Sequence, residues 1–425
     1  MLDHTPKFSN INFNGGYLSS DGGAILLLHF LDKLKIMDKF RHIPFYDLRA
    51  ASIYSNSEIL SQLISRALLG YFNQDDQKVL LEDPLLSKYF SPCSQPTVSR
   101  FFDRVVNQTN VVFREQLIEM ACQYVNKNVP DPIIDADSTM IETYGNQEAS
   151  AYIHHYDETG YHPLMINEFH SKLLLFAVLR TGSSYSANVI IEELKTVLAY
   201  MYNRGTIRFR GDSAFFDTEL LEFLEKEDIT YYIRCKGFES LRSEAIDDMI
   251  SSGIDWSSYT ATHPYYGEFQ YSIKRKAHRR ILYKAYSVMD DGQVSLFPVV
   301  YCVVTNDKNI VPKDGMHFYE LRGASENFTK EFKNDFDGAR VSHKEFWANE
   351  MDFLISAFAY NIFHLFQNMI LKDSDKSITM NTFRSLFQKI AVKVVRHAGN
   401  ISLCFSSAYM RKHRFMNYWN AVLLM

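Results

Sequence analysis

Ile133-Ile134-Asp135-Ala136-Asp137-Ser138-Thr139 is a short apolar run that carries two acids. Its composition predicts a β-strand within 132–140. Successive side chains of a strand alternate between faces, so Asp135 and Asp137 share one face. An unpartnered carboxylate in so apolar a strand is costly. Two on one face point to a metal ion or to a buried polar network.

The chain changes character around this run. Upstream, residues 1–125 read as mostly helical. The stretches 24–40 and 57–71 have amphipathic helical spacing, the second ending near Gly70. Ser94-Gln95-Pro96-Thr97-Val98-Ser99-Arg100-Phe101-Phe102 reads as a turn and a helix with a polar, basic start. That suits a recognition helix and equally an ordinary capped helix. Downstream, 162–170 and 172–180 predict two strands joined by a tight turn. A helix over 186–202, a strand at 207–210, a helix at 218–226 and a strand at 229–235 follow. Such alternation after a meander predicts a mixed α/β layer domain. Residues 236–305, rich in Tyr, Thr, Ser and Val, predict antiparallel strands at 268–273, 281–288 and 298–305. Helices return from Gly315, with a long apolar one at 346–370, and the last fifty residues read as helical or mixed.

Composition limits the function. The 425 residues are 46% hydrophobic and 14% aromatic, ample for a sizeable core. Lys plus Arg number 45 against 50 Asp plus Glu, a net charge of −5, which excludes a globally basic nucleic-acid coat protein. Any nucleic-acid contact must then come from local patches. Residues 270–284 and 389–414 each hold six Lys or Arg and no acid, and read as such patches or as solvated faces. The five cysteines (Cys93, Cys122, Cys235, Cys302, Cys404) form no CxxC and read as buried thiols of a reducing compartment. No P-loop, GxGxxG or GxSxG pattern is present, which disfavours a nucleotide-driven motor, a dinucleotide dehydrogenase and an α/β-hydrolase. The beginning of the chain lacks the pattern of a signal peptide. The longest unbroken apolar stretches, such as 24–28 and 173–179, are too short to span a bilayer.

A second acid, Asp212, ends the strand Ile207-Arg208-Phe209-Arg210-Gly211 and precedes Ser213-Ala214. The same position suits a helix N-cap. The third element, Tyr319 to Lys333, reads as one helix. On it Tyr319, Arg322, Glu326 and Lys333 fall within a stripe roughly 60° wide at ~100° per residue. A narrow face thus presents a carboxylate, an aromatic hydroxyl and two cations, though a solvated, ion-paired face has the same spacing. Three carboxylates are the hard-oxygen set that holds Mg²⁺, and a pair of such ions supports in-line displacement at a phosphate.

Tyr319-x2-Arg322-x3-Glu326-x6-Lys333 resembles the Y-R-E-K signature of the IS4-like DDE transposases, and the chain as a whole is similar to their IS1380 family. Supporting segments are Asp135–Thr139, Tyr144–Ala149, Gly160–Leu164, Arg210–Phe215, Asn349 and Ala359-Tyr360-Asn361, with Gly70-Tyr71, Leu81–Pro84 and Gln95–Arg100 upstream. The resemblance implies an α/β fold: an RNase H-like catalytic core, a mixed sheet flanked by helices, with a β-rich insertion, an N-terminal helical domain and a C-terminal helical region. It divides the chain into 1–125 (helical, a candidate DNA-binding domain), 126–235 (first part of the core), 236–305 (insertion), 306–372 (second part, with the Glu helix) and 373–425. It implies Asp137, Asp212 and Glu326 as catalytic and metal-binding residues. Asp137 is preferred over Asp135 because the family's first acid directly precedes a Ser/Thr pair. Tyr319, Arg322 and Lys333 are implied as contacts to transposon-end DNA.

The implied chemistry is Mg²⁺- or Mn²⁺-dependent hydrolysis at transposon ends, then 3′-OH strand transfer. The implied partners are double-stranded DNA, as terminal inverted repeats and target, and a second copy in a synaptic homodimer, with no membrane and no nucleotide cofactor. The implied setting is the bacterial cytoplasm, at the nucleoid. Similar transposases hold a flipped base on an aromatic of the insertion, for which Trp256, Tyr265 and Tyr266 are candidates beside ordinary sheet packing. A nuclease of the same core without strand transfer, or an inactive DNA-binding relative, shares most of these features.

Overall fold

The computed structural model describes residues 11–154, 157–184, 190–202, 205–273, 277–290, 293–397 and 400–425. The chain divides into two compact units. One is His42–Leu48 with Arg104–Asn368; the other is the chain up to Arg41, Arg49–Asp103 and Met369–Met425.

The first unit is built on an eight-stranded sheet. Its strands in chain order are β1 (Ile133–Ser138), β2 (Leu164–Glu168), β3 (Leu174–Val178), β4 (Arg208–Gly211), β5 (Thr230–Arg234), β6 (Tyr265–Ser272), β7 (His278–Tyr286) and β8 (Val299–Thr305). The spatial order is β6-β7-β8-β5-β4-β1-β2-β3. β1, β2 and β3 form an antiparallel meander, whereas β4 and β5 run parallel to β1. β1 is central and its first four residues are buried. This explains its near-continuous apolar sequence, since a strand covered on both faces shows no alternation.

Seven helices of this unit matter here: α1 (Asn107–Asn128), α2 (Ile190–Tyr200), α3 (Thr218–Lys226), α4 (Glu239–Ser251), α5 (Pro312–Glu320), α6 (Gly323–Asp335) and α7 (Phe346–Ile370). α7 is long and apolar enough by composition to cross a membrane, yet 89% of its most apolar window is buried inside the fold. Its Phe358 stacks on Phe113 of α1 with centroids 4.3 Å apart. Asn361 of α7, fully buried, accepts from the Leu174 N–H and donates to the Leu174 carbonyl, both at 2.8 Å. It thereby satisfies the open edge of β3. Asn361→Ala strands both backbone groups and is expected to lower stability by about 2–4 kcal/mol. A chemical-denaturation midpoint equal to wild type would show that the edge finds other partners.

Three expectations need correction. Residues 236–305 are not wholly β-rich: the segment opens with α4, which buries Leu241, Ala245 and Met249. That stripe of one residue per turn is too thin to announce a helix. The strands that follow extend the main sheet through the antiparallel pair β8–β5. The C-terminal region is not wholly helical: Val392–His397 and Asn400–Phe405 form an antiparallel hairpin. Its alternation, Val392 and Val394 buried with Lys393 and Val395 exposed, is a strand signature. The helix expected over 24–40 ends at Leu34, because Lys35 adopts a left-handed conformation with φ 55°.

The second unit contains Ile25–Leu34, Asn56–Leu69, Gln95–Phe102 and Lys412–Leu423 as its longer helices, beside that hairpin. Asn56–Leu69 has both sequence signals of a helix. Ser55 and Glu58 form a reciprocal capping box, and Gly70 at φ 86° closes the other end. In Gln95–Phe102 the residues Val98, Phe101 and Phe102 are buried, and Ser99 donates to Gln74 at 2.6 Å. Four cysteines are buried as expected, whereas Cys404, in the hairpin, is exposed.

Candidate active site

β1 and β4 lie side by side in parallel register, with Asp135 opposite Arg210 and Ala136 opposite Gly211. One residue further along, Asp137 near the end of β1 and Asp212 just past the end of β4 therefore come level.

Asp135 does not point to solvent. It is fully buried, and both its oxygens accept from Arg210, Nε at 2.7 Å and Nη2 at 2.8 Å. Arg210 is also fully buried, between the rings of Phe169 (4.4 Å) and Phe318 (5.1 Å). Its Nη1 donates to the Phe318 carbonyl at 2.9 Å, and Ser325 donates to Asp135. One ion pair in the sheet thus holds α5 through Phe318 and α6 through Ser325. A fork-to-fork Arg–carboxylate pair is the geometry that makes a buried charge tolerable.

Asp137 is the more accessible acid of β1. Its Oδ1 accepts from Arg322 at 3.0 Å and its Oδ2 from Thr329 at 3.3 Å. Burial raises its carboxyl above the usual range, Arg322 opposes that rise, and the charge of Asp212 adds to it. The two acids therefore feel one another. Asp212 also caps the turn that follows, accepting from the Ala214 N–H at 2.8 Å, so the cap reading and the site reading describe one side chain.

The single helix expected over 319–333 is two. α5 ends at Glu320 and α6 begins at Gly323, with the Arg322 N–H turned to the Tyr319 carbonyl at 2.9 Å. A tightened three-residue turn followed by Gly interrupts the helix there. Tyr319 therefore belongs to α5 while Arg322 opens α6. Burial raises the Tyr319 hydroxyl; Arg322 and Arg234 counter this and Asp212 adds to it.

Along α6, Arg322, Ser325, Thr329 and Lys333 face β1. Arg322 reaches the Ala136 carbonyl (3.2 Å) and Asp137, and its buried Nε has no partner among the described residues. Lys333 donates to Thr139 Oγ1 at 2.5 Å and the Met140 carbonyl at 2.7 Å. Burial holds its ammonium below its usual value, and Asp137 opposes that. α6 is in turn fixed to α7 by Phe332 against Phe353 (5.3 Å) and Phe336 against Tyr360 (5.5 Å).

The structure thus brings Asp137, Asp212, Tyr319, Arg322 and Lys333 to the ends of β1 and β4. Glu326 stands apart: it lies in the first turn of α6, about 40° around the helix from Arg322, and is exposed. Among the described residues no group of three His, Cys, Asp or Glu is close enough to hold a metal ion. Arg210, Arg234, Ser325 and Thr329 were not singled out from sequence. Ser325 and Thr329 had a signal, since they continue the polar stripe between Arg322 and Lys333.

Part of each basic block is spent on ion pairs. In the first, Arg279, Arg280 and Lys284 pair with Glu225, Glu268 and Glu320, while residues 274–276 lie outside the described residues. In the second, Lys389 and Arg414 pair with Asp21 and Asp375. Of the candidate stacking aromatics, Tyr265 packs on Tyr259 and Tyr283, and Tyr266 bonds His317 at 3.2 Å. Trp256 is half-buried in a short turn.

Comparison with known proteins adds the following. The family described as transposase DDE domain group 1 matches residues 6–424. No protein among the curated ones compared matches. Among solved structures, the chain is similar to a piggyBac transposase synaptic complex with hairpin DNA. Identity there is 13%, over 86% of this chain and 79% of that one, with a TM-score of 0.47. It is also similar to the Mos1 strand transfer complex, at 14% identity over 52% of this chain and 78% of that one, with a TM-score of 0.18.

Proposed function

Because this chain belongs to the transposase DDE domain group 1 family, we propose that it is a cut-and-paste transposase of an insertion sequence, in the IS1380 branch of the IS4-like enzymes. The observation that carries the site is the meeting of Asp137 and Asp212 at adjacent parallel strand ends, with Arg322 against them. The strand order β3-β2-β1-β4-β5, antiparallel then parallel, supports an RNase H-like core.

Asp137 and Asp212 fit a divalent cation, Mg²⁺ or Mn²⁺: both are hard oxygen donors, and their mutual repulsion favours a cation between them. Glu326 would supply the third carboxylate from α6. The bound ion would stabilise charge developing on the phosphate oxygens. Arg322, which holds Asp137, would donate to a non-bridging oxygen of the scissile phosphate. Tyr319 would stand on the same side, and Lys333 would hold the chain after Asp137 in place.

In the first step the oxygen of water bonds to phosphorus as the 3′ oxygen leaves and takes up a proton. In the second, the oxygen of that 3′-OH gives up its proton and bonds to a target phosphorus, as the target's own 3′ oxygen leaves and takes up a proton. Terminal inverted repeats and target duplex would be the substrates, with two copies pairing the ends, in the bacterial cytoplasm at the nucleoid.

An excision assay tests this. A donor plasmid carrying the gene with its own flanks is expected to yield rejoined donor and excised element with Mg²⁺, and neither with EDTA. Binding of the flanks without cutting would favour an inactive DNA-binding relative. Cutting without joining would favour a nuclease.

A further inference from the structure

A cleft of about 480 Å³ opens where Ser213, the residue after Asp212, meets the end of β5 and the start of α4. Four charged residues line it: Arg234, Lys236, Arg242 and Glu239. Three cations against one acid is an unusual excess in a chain of net charge −5. The acid holds little of that charge, since Glu239 and Arg242 approach only to 3.9 Å and Glu239 is 81% exposed. Arg234 lies over the Tyr301 ring at 5.2 Å, which orients its guanidinium on the cleft wall. Arg234, Lys236 and Arg242 share this one concave surface. The cleft adjoins the acids: Ser213, next to Asp212 in the chain, lines it, and Arg234 acts on the Tyr319 hydroxyl together with Asp212.

We infer that this cleft binds the phosphate backbone of the DNA strand that leaves the acids on the Asp212 side, with Arg234, Lys236 and Arg242 as its phosphate contacts. The inference rests on the transposase reading above and deepens it. Two or three phosphates suit a cleft lined by three cations, and the small volume selects a single strand over the width of a duplex. Glu239 opposes the ligand, so its removal strengthens binding.

Lys236→Glu/Arg242→Glu and Glu239→Gln in the full chain test this. Arg234 is left intact because it bears on Tyr319. Binding to a labelled duplex of the gene's own flanks, ending in a single-stranded 3′ extension, is titrated against salt. Far-UV circular dichroism and thermal midpoint verify folding. The double variant is expected to bind about tenfold more weakly, with a log–log salt slope shallower by about 2. Glu239→Gln is expected to bind severalfold tighter. A wild type that binds and cuts the flanks, with both variants unchanged, overturns the cleft and leaves the transposase reading standing. A folded wild type that binds no DNA at any salt overturns both.

Discussion

Arg210→Met is expected to destabilise the chain by about 3–5 kcal/mol, because it leaves Asp135 as a buried charge without its partner. The loss exceeds one ion pair. Arg210 also holds the Phe318 carbonyl and fills the space between two rings, so the ends of α5 and α6 lose their common anchor. Asp135→Leu alone is expected to cost a similar amount, by leaving the guanidinium unpaired. The double variant Asp135→Leu/Arg210→Met removes both charges and is expected to recover most of the stability. It is not expected to recover DNA cutting, since Ser325 and Phe318 no longer locate Arg322 and Tyr319. Urea unfolding of the four proteins, with cutting measured on each, reads both effects. Single-variant losses below about 1 kcal/mol would show that the pair is not the brace described here.

How far the sequence reveals this site depends on the kind of interaction. Local signals survive well. The strand through Asp137, the strand ending before Asp212 and the helix ending near Gly70 are legible because backbone propensity and side-chain periodicity act over a few residues. The fates of the two acids of β1 are not legible. Asp135 and Asp137 share a face in the sequence, yet one is buried against Arg210 and the other meets Arg322 and Thr329. That difference is set by register between β1 and β4, which no local pattern encodes. Part of the first basic block misleads for the same reason: Arg279, Arg280 and Lys284 look free until the fold brings Glu225, Glu268 and Glu320 to them. Conversely, Arg234, Lys236 and Arg242 draw no notice in sequence because they are spread over nine residues with Glu239 among them. The turn into α4 is what gathers them.

Asp137→Asn, Asp212→Asn and Glu326→Gln are each expected to reduce strand cutting at least about a thousandfold, as loss of ~4 kcal/mol of charge stabilisation at the phosphate requires. Each keeps the shape of its side chain, so binding of the flanking duplex is expected to stay within about threefold of wild type (under ~1 kcal/mol). The three differ in what they do to the apo protein. Asp137→Asn removes a half-buried charge that burial and Asp212 both disfavour, so it is expected to raise the thermal midpoint. Glu326→Gln changes an exposed side chain in the first turn of α6 and is expected to leave the midpoint nearly unchanged. That contrast makes Glu326 the sharper probe. Full loss of cutting in a variant as stable as wild type assigns the exposed acid to the reaction rather than to the fold. Cutting retained within tenfold would mean that Asp137 and Asp212 work without it and that the third carboxylate lies elsewhere. Glu331 of the same helix, which faces His364 at 3.5 Å, would then be the next side chain to replace.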